Sequence, residues 1–201
     1  EIMPSLVGSE MCIRDRIATG DSSAEVSLLE GNSGLKVVYY NQGDAAWKSI
    51  PYSTSTIGQS GCGPTSMAIC ISTLSGKKIT PRQTCQWAGS QGYYVKGAGS
   101  KHDVIPGLAK KYGVKCKGVG KNKPQIIQAL KTGKLVVAIM SAGHFTSGGH
   151  FIVLTGIKDG KITVADCGSR QRTKQTWSLD LIVDESNSSA SAGGPFWIIS
   201  K

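Results

Sequence analysis

Gly61-Cys62-Gly63-Pro64-Thr65-Ser66-Met67-Ala68-Ile69-Cys70-Ile71 is the stretch on which the fold turns. Pro64 suits a first helical position, where its missing N–H costs no hydrogen bond. The glycines beside Cys62 permit another segment to approach closely. Met67, Ile69, Cys70, Ile71 and Leu74 are then apolar on most sides, which predicts a buried central helix ended by Ser75-Gly76. A free cysteine with pKa ~8.5 is mostly thiol at neutral pH, and a helix N-terminus favours the thiolate. Cys62 is therefore a candidate nucleophile, whereas Cys70 and Cys85, inside apolar helical surfaces, read as small buried residues.

Outward from this helix the pattern divides the chain in two. Upstream, L-K-V-V-Y-Y from Leu35 has strand composition, and Asn41 to Gly61 is turn-rich with Trp47, Pro51 and Tyr52. Downstream, Pro81 opens a second helix through Trp87, a third covers Val104 to Tyr112, and a fourth runs from Pro124 to Lys131. After Gly133 the period changes. Leu135 to Met140, His150 to Ile157, Lys161 to Asp166 and Phe196 to Ile199 are Val/Ile-rich runs between glycine turns, hence strands. Helices followed by an antiparallel sheet predict an α+β domain.

A thiolate nucleophile needs a base, and there are three histidines. His102, in S-K-H-D, reads as a solvated or capping residue. His144 lies in the glycine-rich Ser141 to Gly149 loop, which is expected to be mobile. His150 heads the strand F-I-V-L-T-G and is thereby held in fixed geometry, as a base must be. Asp166, ending the next strand, is the candidate orienting carboxylate. Register decides whether they meet. A three-residue Lys158-Asp159-Gly160 turn places Ile152 opposite Asp166 and puts His150 and Asp166 on one face. A two-residue Asp159-Gly160 turn points them to opposite faces, so the pairing is expected to require the longer turn.

Composition narrows the classes. The net charge of +10 suits anionic partners in general. The lysines are scattered without interleaved aromatics, so charge alone is the support for a nucleic-acid binder, and an anionic cell-wall polymer fits equally well. No apolar run reaches the ~20 residues of a membrane span. Cys62, Cys70, Cys85, Cys116 and Cys167 form no C-x-x-C pair and no Cys/His spacing for zinc, so no metal site is expected. Residues 5–15 (S-L-V-G-S-E-M-C-I-R-D, with Cys12) resemble a translated sequencing-library adapter, so 1–16 are set aside as an artefact, with the natural N-terminus expected to be missing. Residues 17–34 are Ser/Gly-rich and read as a linker from an upstream module, which leaves one domain over 35–201.

The pieces V-V-Y-Y-N-Q-G-D-A-A-W, G-C-G-P-T-S-M-A-I, I-T-P, G-G-H-F-I-V-L-T-G and G-G-P-F-W-I-I together resemble the bacteriocin-processing-peptidase-like (C-thirty-nine-like) family of papain-like cysteine peptidases. The resemblance implies a papain-like fold with the nucleophile helix packed on the sheet. It implies Cys62 as nucleophile, His150 as base, Asp166 as orienting carboxylate and Gln42 as an oxyanion donor, with Gln59 a second candidate for that role. Where members often carry proline after the aspartate, this chain has Cys167. The implied reaction is hydrolysis of peptide bonds through a thioester, with no metal or organic cofactor. An acyltransferase using the same triad and a catalytically silent binding module are the competing readings. The expected partner is a peptide or a peptidoglycan peptide, and the expected location is extracellular or at the cell wall.

Overall fold

The computed structural model describes residues 27–201. The adapter-like segment and the first part of the expected linker lie outside the described residues. In chain order the elements begin with β1 (Ser27–Glu30), β2 (Lys36–Tyr39), β3 (Pro51–Tyr52) and β4 (Ser55–Thr56). The helices α1 (Ile57–Ser60), α2 (Cys62–Ser75) and α3 (Pro81–Ser90) follow, then β5 (Tyr94–Val95), β6 (Gly99–Ser100), α4 (Val104–Tyr112) and β7 (Lys115–Gly118). The remainder is α5 (Lys123–Lys131), β8 (Leu135–Met140), β9 (His150–Lys158), β10 (Lys161–Ala165), α6 (Arg170–Thr173), β11 (Thr176–Trp177), α7 (Leu179–Asp184) and β12 (Phe196–Ser200).

This is the expected α+β architecture. A six-stranded antiparallel sheet in the order β11-β10-β9-β8-β12-β7 is covered on both faces. Strand alternation sorts its residues. Leu135, Val137, Ile139, Phe151, Val153 and Trp197 join the core shared with α2, α3 and α4, while Val136, Ala138, Ile152, Leu154 and Phe196 join a second core with Ile126 and Leu130 of α5 and Ile182 of α7. Burial on both faces is why β8 is a continuous apolar run.

Local chemistry fixes the helices. α3 starts with a full capping box, in which the Thr80 hydroxyl accepts from the Gln83 N–H and the Gln83 side chain accepts from the Thr80 N–H. Left-handed glycines end two others, Gly76 (φ 70°) after α2 and Gly113 (φ 73°) after α4. Almost every α2 side chain from Gly63 to Leu74 is buried, as a central helix requires. Among the described residues no helix is long and apolar enough to cross a membrane.

Two expectations are corrected. Within the described residues the chain is already paired at Ser27, upstream of Leu35, because β1 pairs with β2 (Ser27 opposite Tyr39) and the turn after it docks on the sheet. There the Asn32 side chain bonds both the N–H and the carbonyl of Ile157, and Ser33 Oγ donates to the Lys131 carbonyl. Residues 27–34 are thus part of the folded domain.

The second correction concerns the β9–β10 turn. Lys158 pairs with Lys161, so the connection is the two-residue Asp159-Gly160 turn, with both residues left-handed (φ 50° and 74°) as a type I′ hairpin demands. The shift that a three-residue turn would have supplied comes from a β-bulge. Gly156 pairs with Thr163, but Leu154 pairs with Val164, which leaves Thr155 as an extra residue on β9. Continuing that register sets Asp166 opposite Ile152. His150 and Asp166 therefore share a face in spite of the short turn.

Candidate active site

Cys62 stands at the first turn of α2, behind Gly61. A Cβ on Gly61 would lie 2.6 Å from the Ile57 carbonyl oxygen, so the α1–α2 junction excludes a side chain there. A Cβ on Gly63 would sit 3.2 Å from the Phe151 ring, and the bare backbone lets the helix start close to β9. The thiol is half-buried. Burial works against its charge, but a hydrogen bond and an opposite charge from His150, with the N–H groups of Phe151 and Gly63, outweigh it and lower the Cys62 pKa.

His150 and Asp166 complete the cluster. His150 Nε2 lies 2.7 Å from Asp166 Oδ1, which leaves Nδ1 to face the thiol. Burial disfavours the imidazolium, yet the Asp166 hydrogen bond and the Cys62 contact prevail and raise the His150 pKa to about 9. Both shifts favour a thiolate–imidazolium pair. Asp166 is fully buried, and its pKa is lowered because His150 and Arg172 overcome the cost of burying the carboxylate. Its Oδ1 also accepts from Gly168 N–H at 2.8 Å, and its Oδ2 from Arg172 Nε at 2.6 Å.

Gln42 sits on a loop bolted to the end of β10. Its N–H donates to the Cys167 carbonyl (2.8 Å), Tyr39 Oη donates to the Asp166 carbonyl (2.8 Å), and Arg170 pairs with Asp44 (2.6 Å). The Gln42 side chain is engaged at both ends, with Nε2 donating to the Gly58 carbonyl (2.8 Å) and Oε1 accepting from the Cys167 thiol (3.4 Å). The same thiol lies 3.5 Å from the Cys62 carbonyl oxygen, so Gln42 is held beside the start of α2. Gln59 is exposed, and its Oε1 accepts from Ser55 Oγ at 3.2 Å.

The remaining histidines are held elsewhere. Glu185 engages both the ring and the N–H of His144, and Phe145 is buried against Trp177 with ring centres 4.5 Å apart. The first half of the loop expected to be mobile is thus pinned, while Gly148 and Gly149 have open space around them. His102 Nδ1 accepts from the Ser191 N–H at 3.0 Å. Sequence reasoning missed Arg172 and the bracing by Arg170, Tyr39 and Cys167. The one local signal was Ser169, which caps α6 by accepting from the Arg172 N–H at 3.1 Å.

A family model described as "Peptidase_C39 like family" matches residues 34–191. Among solved structures the chain is similar to a C39-like peptidase from Bacillus anthracis, at 17% identity over 82% of this chain and 94% of that one, with a TM-score of 0.54. It is also similar to the peptidase domain of Streptococcus ComA, a bi-functional ABC transporter involved in a quorum-sensing pathway. That match has 13% identity over 70% of this chain and 91% of that one, with a TM-score of 0.48. No curated protein matches the chain.

Proposed function

The chain belongs to the C39-like peptidase family, and from that premise we propose that it hydrolyses peptide bonds through a thioester on Cys62. At the family level it is a cysteine peptidase. The observation that supports the residue-level reading most is the continuous chain of contacts from the Cys62 thiol through His150 to Asp166, 2.7 Å from Nε2 to Oδ1.

In this reading the Cys62 thiolate attacks the scissile carbonyl carbon and forms a C–S bond, while the carbonyl π pair moves onto oxygen. In this mechanism the Cys62 N–H at the helix start donates to that oxyanion, and Gln42 Nε2, with one hydrogen spent on Gly58, carries a second for the same task. His150 delivers its proton to the leaving amine as the C–N bond breaks. It then takes a proton from water, which attacks the thioester and frees the acid and the thiolate. The net charge of +10 supports work against an anionic matrix, so the substrates we favour are extracellular peptides or peptide cross-bridges of a cell wall.

The test is a peptide library incubated with the protein, with Cys62→Ala and with His150→Ala, and read for new N-termini by mass spectrometry. New termini from the unaltered protein alone support hydrolysis. Equal cleavage by Cys62→Ala, or none by the unaltered protein, contradicts it. Addition of glycinamide separates transfer from hydrolysis, since an acyltransferase would yield amidated C-termini.

A further inference from the structure

Asp166 has two oxygens and two charged neighbours. Oδ1 meets His150 Nε2 at 2.7 Å, and Oδ2 meets Arg172 Nε at 2.6 Å, while the carboxylate itself is fully buried. With the thiolate–imidazolium pair formed, the line Arg172, Asp166, His150, Cys62 alternates plus, minus, plus, minus. It is neutral as a whole. Without the guanidinium, the same line would carry a net negative charge in a site screened from water, which is costly.

The surrounding chain holds Arg172 in place. α6 is only four residues long and too short to persist alone. Ser169 caps it, the Thr173 hydroxyl accepts from the Asp166 N–H at 3.0 Å, and Trp177 Nε1 donates to the Arg172 carbonyl at 3.2 Å. The helix is therefore fastened to Asp166 from both ends, with Arg172 between the fastenings. The other charged or titratable groups facing this line are Cys167, Tyr39, Cys85 and Tyr52, with Arg170 lying over the Tyr39 ring and paired with Asp44. Arg172 donates to Oδ2 of the Asp166 carboxylate, beside His150 and the Gly168 N–H at Oδ1.

We propose that Arg172 is a positioning residue that fixes the second oxygen of Asp166 and balances its charge, so that His150 and Cys62 ionise in the working range. This rests on the reading of Cys62, His150 and Asp166 as the reacting groups. Loss of the guanidinium leaves the Asp166 charge uncompensated. His150 then holds its proton to higher pH, and Cys62 loses its own proton later.

The experiment measures the rate of Cys62 alkylation by iodoacetamide against pH, resolved by peptide mass spectrometry, for the unaltered protein, Arg172→Ala, Arg172→Met and Arg172→Lys. Melting curves on the same samples report the fold. The proposal predicts that both inflections move to higher pH in Arg172→Ala, the upper one by roughly one unit, and return in Arg172→Lys, which keeps the charge. Arg172→Met keeps the aliphatic stem and stands in if the alanine variant does not fold. Inflections unmoved in Arg172→Ala or Arg172→Met beside a lowered melting temperature would make the residue merely structural and overturn the proposal. A lysine variant that behaves as alanine does would overturn its charge-balancing part. Failure of Cys62 to react preferentially in the unaltered protein would instead refute the reading on which this rests.

Discussion

In the proposed mechanism His150 carries two duties, holding the Cys62 thiolate as an ion pair and protonating the leaving amine, and His150→Ala removes both. Turnover of any cleaved peptide should vanish in that variant. Asp166→Asn should be milder, because an amide oxygen still accepts the imidazole N–H and keeps the ring in place. The expected loss in kcat is on the order of tenfold to a thousandfold, against ~10⁴ where an aspartate orients a serine triad. No effect from Asp166→Ala would reduce the site to a dyad. The pH dependence follows from the same groups. His150 is raised to about 9, so it stays protonated up to that range, and hydrolysis should fall as pH climbs through it. Cys62 is lowered, so the acid limb should lie below the ordinary cysteine range. A profile that instead rises steadily through pH 9 would mean that a neutral thiol–imidazole pair is the resting form.

At the scale of elements, the bulge in β9 decides whether the site assembles. Gly156 beside it has no room for a side chain, since a Cβ would overlap the Asn32 amide and lie 3.2 Å from Thr163 Oγ1. Asn32→Ala should destabilise the fold by ~1–3 kcal/mol in denaturant titration, because the Ile157 N–H and carbonyl lose their partner. Gly156→Ala should cost at least as much by displacing Asn32. An unchanged midpoint in both would mean that residues 27–34 do not brace the sheet. None of this was readable in the sequence, where Asn32 and Ile157 stand 125 positions apart. The four longest helices were readable, but the short α1, α6 and α7 were not. Pro81 and Gly113 punctuate them, and Val104–Tyr112 falls where expected. The edge strand Lys115–Gly118, with its K-C-K-G composition, gave no apolar period to detect. Cys62, His150 and Asp166 were legible because each sits where an element starts or ends. Arg172 was not, because its partner is fixed by a fold-back of the chain after Asp166 and not by periodicity.

Across the whole molecule the sheet divides two cores, and α2, which carries Cys62, spans the larger one. Met67, fully buried on α2, should cost ~2–5 kcal/mol as Met67→Ala, the range for cavity-forming core truncations. A loss under ~1 kcal/mol would mean that α2 is more loosely packed than its burial implies. The same packing sets the thiols apart. Burial pushes the Cys70, Cys85 and Cys167 thiols upward, and raises Cys116 to about 11, while among the described cysteines Cys62 alone is lowered. The contrast turns the central claim into one measurement. The folded protein is treated at pH 6 with limiting iodoacetamide, and modification is read at every cysteine by mass spectrometry, with His150→Ala alongside. Cys62 should be alkylated ahead of Cys70, Cys85, Cys116 and Cys167 in the unaltered protein, and should lose that lead in His150→Ala. Uniform labelling, earlier modification of another cysteine, or a lead that survives the loss of His150 would contradict the account.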